Sequence, residues 1–208
     1  MVSPARVHQE PRMKAIAAAR VALDAGDLIQ PRILQTIDGT SVTVPDPDRA
    51  LVHLQFRRYA GCPICSLHLR SFAQRHDEIV AAGMREVVVF HSPEAELRKV
   101  HRLPFAVIAD PEKRLYAEFG VGTSPRAVLD PRVWPTAIRA VALRASVDPK
   151  AGMEGGSFGL PADFLIAPDG RLLASKYGVH ADDQWSVDEL LHLGRESRPA
   201  PLEARANG

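Results

Sequence analysis

The sequence predicts an α/β fold: a central mixed β-sheet with helices on both faces and a β-hairpin ahead of it. Three observations carry that expectation. Apolar runs at 50–56, 85–92 and 105–110 alternate with segments of helical spacing, the order of buried strands joined by helices. Asp38-Gly39 and the Pro-Asp-Gly at 168–170 each separate two strand-like runs, which marks two hairpins. Hydrophobic residues make up 46% and charged residues 25% of the 208, the composition of a globular chain with a core.

The elements follow in order. Residues 1–11 are polar and proline-punctuated. Met13, Ile16, Ala17 and Val21 recur at helical spacing and predict a helix over 12–25, stopped by Gly26. The segment 32–44 is the first hairpin. A buried strand is expected over 50–56, and then a helix from Pro63 to Ala82 with Leu69, Phe72, Ala73, Ile79 and Val80 facing inward. Pro63 stands in the first turn, where a helix tolerates proline. Strands over 85–92 and 105–110 are each followed by a short helix, at 93–103 and 111–121. The stretch 122–159 differs, with a helix expected around Val133–Arg144 and then a glycine-rich loop. Those glycines neither follow a first strand nor open a helix, so a phosphate cradle is not expected. Two strands flank the turn at 168–170, a helix runs from Ser186 to Gly194 with Ser186 as its cap, and a tail closes the chain. The expected organisation is an N-terminal extension over 1–25, one domain over 26–195 with an insertion at 122–159, and a flexible tail over 196–208.

Charge excludes some functions. With 26 basic and 25 acidic residues the net charge is +1, which gives no nucleic-acid surface and no polybasic membrane patch. No apolar run approaches the about 18 residues of a membrane span. Arg20 breaks the apolar stretch near the N-terminus, so the chain is read as cytoplasmic.

The chemistry concentrates at 57–72, "RRYAGCPICSLHLRSF", which holds the two cysteines of the chain, Cys62 and Cys65. A strand should end just before them and a helix begin at them. The free amides and positive dipole end of that helix stabilise an anion, so they favour a thiolate on Cys62. Cys65 lies one turn later on the same face and can attack an oxidised Cys62. Cys62 is therefore the candidate attacking thiolate and Cys65 the resolving thiol. Arg57 and Arg58 add positive potential or form a solvated strand end. Inert packing of two small residues is the plainer alternative. A metal site needs three or four ligands, and no second pair exists; His68 is expected on the solvated side of its helix, so no metal is expected. His53 and His91 are read as core or rim histidines that can approach the active face. Sulfurs enclosed by apolar side chains, or pointing apart, would defeat the assignment.

The segments "LVHLQFRRYAGCPIC", "LPFAVIADPEKRLYAEFGV" and "GLPADFLIAPDGRLL" resemble the peroxiredoxin-like branch of the AhpC/TSA group, across roughly residues 26–195. The resemblance implies a thioredoxin fold and reduction of a hydroperoxide or disulfide without a cofactor. It implies regeneration by a thioredoxin- or glutathione-type reductant, and it allows a homodimer. It places Pro161 before the penultimate strand, with a cis bond after Leu160. Tyr59, Gly61, Pro63, Pro161 and Arg57 are the expected supporting residues. The chain departs from the group's Pro-x-x-x-Thr-x-x-Cys motif, with Gln55 and Tyr59 in place of proline and threonine. Pro161 stands where a peroxide-polarising arginine is expected, with Arg57 or Arg126 as substitutes. Phe56 takes the place of the buried acid of thioredoxins. A disulfide reductase, or a redox-sensing module docking through Trp134, are the alternatives; the expected place for Trp134 is against the sheet.

Overall fold

The structure, a computed structural model, describes residues 22–48, 51–145 and 148–197. Strands β1 (Arg32–Gln35) and β2 (Ser41–Val44) form the first hairpin, paired antiparallel around Asp38-Gly39. Gly39 has φ 88, the left-handed conformation that glycine takes without strain. Strand β3 (Leu51–Arg57) is buried along its whole length and leads into helix α1 (Pro63–Gln74). Next come α2 (His76–Ala81), β4 (Met84–Phe90), α3 (Glu94–Val100), β5 (Ala106–Ala109) and α4 (Arg114–Glu118). The insertion folds as α5 (Arg126–Leu129) and α6 (Trp134–Ala142). Strands β6 (Ala162–Ile166) and β7 (Leu172–Tyr177) make the late hairpin, and α7 (Val187–Glu196) follows.

The main sheet has the order β5-β4-β3-β6-β7. Its β3–β4 and β4–β5 pairs are parallel, while β3–β6 and β6–β7 are antiparallel, so the sheet is mixed as expected. Alternation along β3 sorts its two faces. Val52, Leu54 and Phe56 join a core that includes α4 and the first hairpin, through Tyr116, Phe119, Val42 and Val44. Leu51, His53, Gln55 and Arg57 face the side covered by α1, α2 and α7, where Phe72, Ile79, Leu165, Trp185 and Leu190 pack. Ser186 caps α7 as expected, with a reciprocal capping box to Glu189.

Several expectations change. The helix of 63–82 breaks at Arg75, whose φ −112 and ψ 20 leave the helical region; the chain restarts with His76 turned toward Glu86. Val80 is 41% exposed rather than inward; the buried position of α2 is Ile79, seven residues after Phe72 and on the same face. The Leu160–Pro161 bond is trans, and the cis bond among the described residues joins Val44 and Pro45. Pro161 is held as an ordinary strand-leading proline, its carbonyl accepting from Gly178 N at 2.9 Å. The helix predicted over 12–25 lies outside the described residues up to position 21, and 22–25 are not helical. Most of the 196–208 tail also lies outside them.

Candidate active site

The loop from Tyr59 to Cys62 joins the C-terminal end of β3 to α1, and several partners fix its backbone. Ala60 N donates to Ser92 Oγ at 2.9 Å, and Ser92 Oγ donates to Gly152 O at 2.9 Å. His101 Nε2 donates to Ala60 O at 2.8 Å. Gly61 N donates to Ala151 O at 2.8 Å, and a Cβ on Gly61 would stand 2.0 Å from Asp148 O. The requirement for glycine at 61 is therefore steric: the inserted segment rests directly on it.

Cys62 is the N-cap of α1, and its sulfur accepts from Cys65 N at 3.3 Å. The two sulfurs stand 2.7 Å apart, with Cys65 the donor. Arg58 Nη1 donates to Cys62 Sγ at 3.5 Å. Burial raises the Cys62 thiol, but the Cys65 thiol, the Arg58 charge and the amides of Cys65 and Ile64 outweigh it and bring Cys62 down to about 7. Cys65 goes the other way, well above its ordinary value: burial raises it, and so does the proton it shares with the Cys62 thiolate. One sulfur is thus poised as thiolate and the other as its proton-bearing partner.

Both cysteines are 0% exposed. Tyr59, Ile64, Val133 and Ala181 surround them, with Ala137 of α6 alongside. This enclosure is not wholly apolar, because the buried Arg58 guanidinium enters it. Arg58 is held in turn by Ser157 O through Nη2 and lies 5.3 Å from the Tyr59 ring. Tyr59 contributes its backbone carbonyl to Cys62 N at 3.0 Å, and its own hydroxyl is pushed up to about 12, chiefly by burial.

Successive strand residues point to opposite faces, and this separates the two arginines. Arg57 turns away from the sulfurs into a buried network. Its Nη2 donates to Gln55 Oε1 and Asp163 Oδ1, both at 2.7 Å, and reaches His68 Nε2 at 3.2 Å. His53 Nε2 meets Asp163 Oδ1 at 3.1 Å, and Gln55 Nε2 donates to Glu86 Oε1 at 3.0 Å. His68 is therefore half-buried against Arg57 and Phe72 rather than solvated. Arg126 is exposed on α5. Trp134 is 59% exposed rather than packed on the sheet, since the inner face of α6 is taken by Val133 and Ala140. Sequence reasoning missed Ser92 and His101, whose only signal was their place just after a strand and a helix. No group of three or more His, Cys, Asp or Glu side chains among the described residues is arranged so that it could hold a metal ion. No helix among them is long and apolar enough to cross a membrane.

A mixed five-stranded sheet with a close dithiol at the head of its long helix defines a thioredoxin-fold protein of thiol-redox type. A model of the AhpC/TSA family matches residues 25–175, and the chain belongs to that family. The fold is similar to that of peroxidoxin BcpB from Mycobacterium tuberculosis, at 18% identity and a TM-score of 0.58, over 85% of this chain and 99% of that one. It is similar to a peroxiredoxin 6 of Arenicola marina, at 13% identity and a TM-score of 0.60, over 84% and 73%. A putative thiol:disulfide interchange protein DsbE from Chlorobium tepidum aligns at 19% identity and a TM-score of 0.53, over 84% and 97%. No curated protein sequence matches the chain.

Proposed function

We propose that the protein is a peroxiredoxin-like thiol peroxidase. The observation that carries this reading is the Cys62 sulfur at the head of α1, bonded by Arg58 Nη1, Cys65 N and the Cys65 thiol. These donors make a thiolate near neutral pH, and the thiolate is the nucleophile. Cys62 attacks a hydroperoxide oxygen. The S–O bond forms, the O–O bond breaks, and the alcohol or water leaves with the proton that Cys62 gave up. Cys65 then attacks the sulfenic sulfur, water leaves, and the disulfide is the product. A thioredoxin- or glutathione-type thiol restores the dithiol by exchange.

Arg58 takes the part that the family resemblance sought in Arg57 or Arg126. The disulfide-reductase reading uses the same pair in the same sense, with a protein disulfide in place of the peroxide as the oxidant and a substrate thiolate as the leaving group. Supply of a reducing system and hydrogen peroxide separates the two. Peroxide consumption that vanishes in Cys62→Ser supports the peroxidase, and reduction of insulin disulfides without peroxide consumption removes it. The exposed apolar face of α6, with Trp134, Ile138 and Val141, favours a docking role as a second reading. Partner binding that survives Cys62→Ser would carry that reading.

A further inference from the structure

His91 follows β4, beside Arg58 at the carboxyl end of the neighbouring strand β3; its backbone N–H donates to Arg58 O at 3.3 Å. Carboxyl ends of adjacent parallel strands are where open α/β sheets place their ligands. The His91 side chain is 1% exposed, and neither of its ring nitrogens has a partner among the described residues. The nearby Arg58 Nε is buried and unpartnered as well, while the same guanidinium reaches Cys62 through Nη1. Three polar atoms therefore lack hydrogen bonds in one corner, within the reach of a single arginine from the candidate thiolate. Buried polar groups are as a rule paired, and leaving one unpaired costs about 1–3 kcal/mol. Gly159 packs closely on this corner: a Cβ there would lie 3.0 Å from His91 Nε2 and 3.9 Å from Arg58 Cα, so any larger residue would crowd the imidazole.

We infer that His91 and Arg58 form a binding subsite for the two oxygens of a small hydroperoxide, presenting it to Cys62. A neutral imidazole offers one N–H donor and one acceptor nitrogen, and Arg58 Nε offers a further donor. A peroxide needs that mixture, because its O–H donates and both oxygens accept. Burial and the nearby Lys113 hold His91 at about 4, so it is neutral at physiological pH. In the reaction the Cys62 thiolate bonds to one peroxide oxygen and is oxidised to sulfenic acid. The O–O pair goes to the other oxygen, whose growing charge Arg58 and the His91 N–H stabilise. The proton lost by Cys62 completes the alcohol or water. His91 touches substrate and so acts as a catalytic residue of that step.

This inference rests on the peroxidase reading, and the test separates the two. Oxidation of Cys62 by hydrogen peroxide and its alkylation by iodoacetamide are timed side by side in wild type, His91→Phe, His91→Gln and Gly159→Ala. His91→Phe and Gly159→Ala are expected to slow peroxide oxidation by about tenfold or more, with alkylation within about twofold. His91→Gln, which keeps a donor and an acceptor, is expected to recover most of the rate. Equal slowing of oxidation and alkylation would make His91 a structural residue and overturn the inference. So would an unchanged peroxide rate in His91→Phe or Gly159→Ala, which would leave the corner to buried water alone. A wild type inert to peroxide would remove the peroxidase reading itself. Since Gly159→Ala crowds the imidazole without replacing His91 or Arg58, the comparison survives misfolding of either His91 variant.

Discussion

Arg58 Nη1 stands 3.5 Å from Cys62 Sγ, while its neighbour Arg57 is bound to Asp163 on the opposite face of the sheet. One strand register thus gives the sulfur one arginine and the core the other. Arg58→Met keeps most of the apolar stem and removes the charge. The Cys62 thiol, at about 7 in the native protein, is then expected to move up, since burial opposes ionisation and only the Cys65 thiol and the amides of Cys65 and Ile64 remain to hold it down. A rise of about one unit lowers the thiolate fraction near neutrality by up to tenfold. The pH profile of iodoacetamide alkylation measures it, and an unmoved midpoint would remove Arg58 from the account.

Gly61 and Asp148 touch across the loop. A methyl at 61 would meet Asp148 O at 2.0 Å and Ala151 N at 2.9 Å, all backbone atoms that no rotamer change can clear. Gly61→Ala is therefore expected to push the 148–151 turn outward and break the bond from Gly61 N to Ala151 O. A cost of about 1–3 kcal/mol is in the range of overpacked sites. Lower thermal stability with faster alkylation of Cys62 is the expected pair of results. Native stability in this variant would mean that the turn rests elsewhere.

The buried network should show in the pH dependence of stability. Burial pulls His53 down, but its bonds to Asp163 and Glu86 pull it up, and the net shift is above the ordinary 6.5. A histidine raised in the folded state gives stability that is complete below 6.5 and is lost as pH rises through the folded value. Asp163 is opposite in sign: burial raises it, Arg57 and His53 lower it more, and its share fails only in strong acid. Over pH 6 to 9 the depressed Cys62, His68, His91 and His101 gain stability while His53 loses it, so His53 is read as the difference between wild type and His53→Gln in urea unfolding. His53→Gln should gain more stability than the wild type between pH 6 and pH 9, and equal changes in the two proteins would remove His53 from the account. Asp163→Asn, which leaves Arg57 without its carboxylate, should cost about 3–5 kcal/mol at either pH.

Much of the fold was legible because local signals agreed with the global arrangement. The apolar runs of β3, β4 and β5 announce strands buried on both sides. Asp38-Gly39 and the Ser186 cap act through their own backbones. The cysteine pair was legible for the same reason, since strand, loop and helix start are consecutive. Other features depend on contacts that spacing does not carry. Alternation says that Arg57 and Arg58 part, but which one meets the sulfur depends on where Asp163 of β6 falls. Polar His53 and Gln55 inside a buried strand make sense only with Glu86 and Asp163 opposite. Gly61 needs Asp148, far along the chain, to show why it is glycine. In α6 both faces are apolar, so the sequence did not reveal that Val133 looks in and Trp134 looks out.

That ambiguity in α6 supplies a controlled experiment. Val133, at the N-cap of α6, is 2% exposed and packs against the cysteine cluster, while Val141 on the same helix is 69% exposed. The same chemical change at each position should therefore have different effects. Val133→Ala removes two methyl groups from the cover of the dithiol, with a loss of about 1–2 kcal/mol from transfer alone. Val141→Ala removes the same atoms from a surface already in water, and stability should stay within about 0.5 kcal/mol. If access to Cys62 is limited by this cover, Val133→Ala should also alkylate faster, while Val141→Ala keeps the native rate. Thermal unfolding and alkylation on the three proteins read both effects. Equal behaviour of the two variants would mean that the sulfurs reach solvent by a path that does not pass under α6.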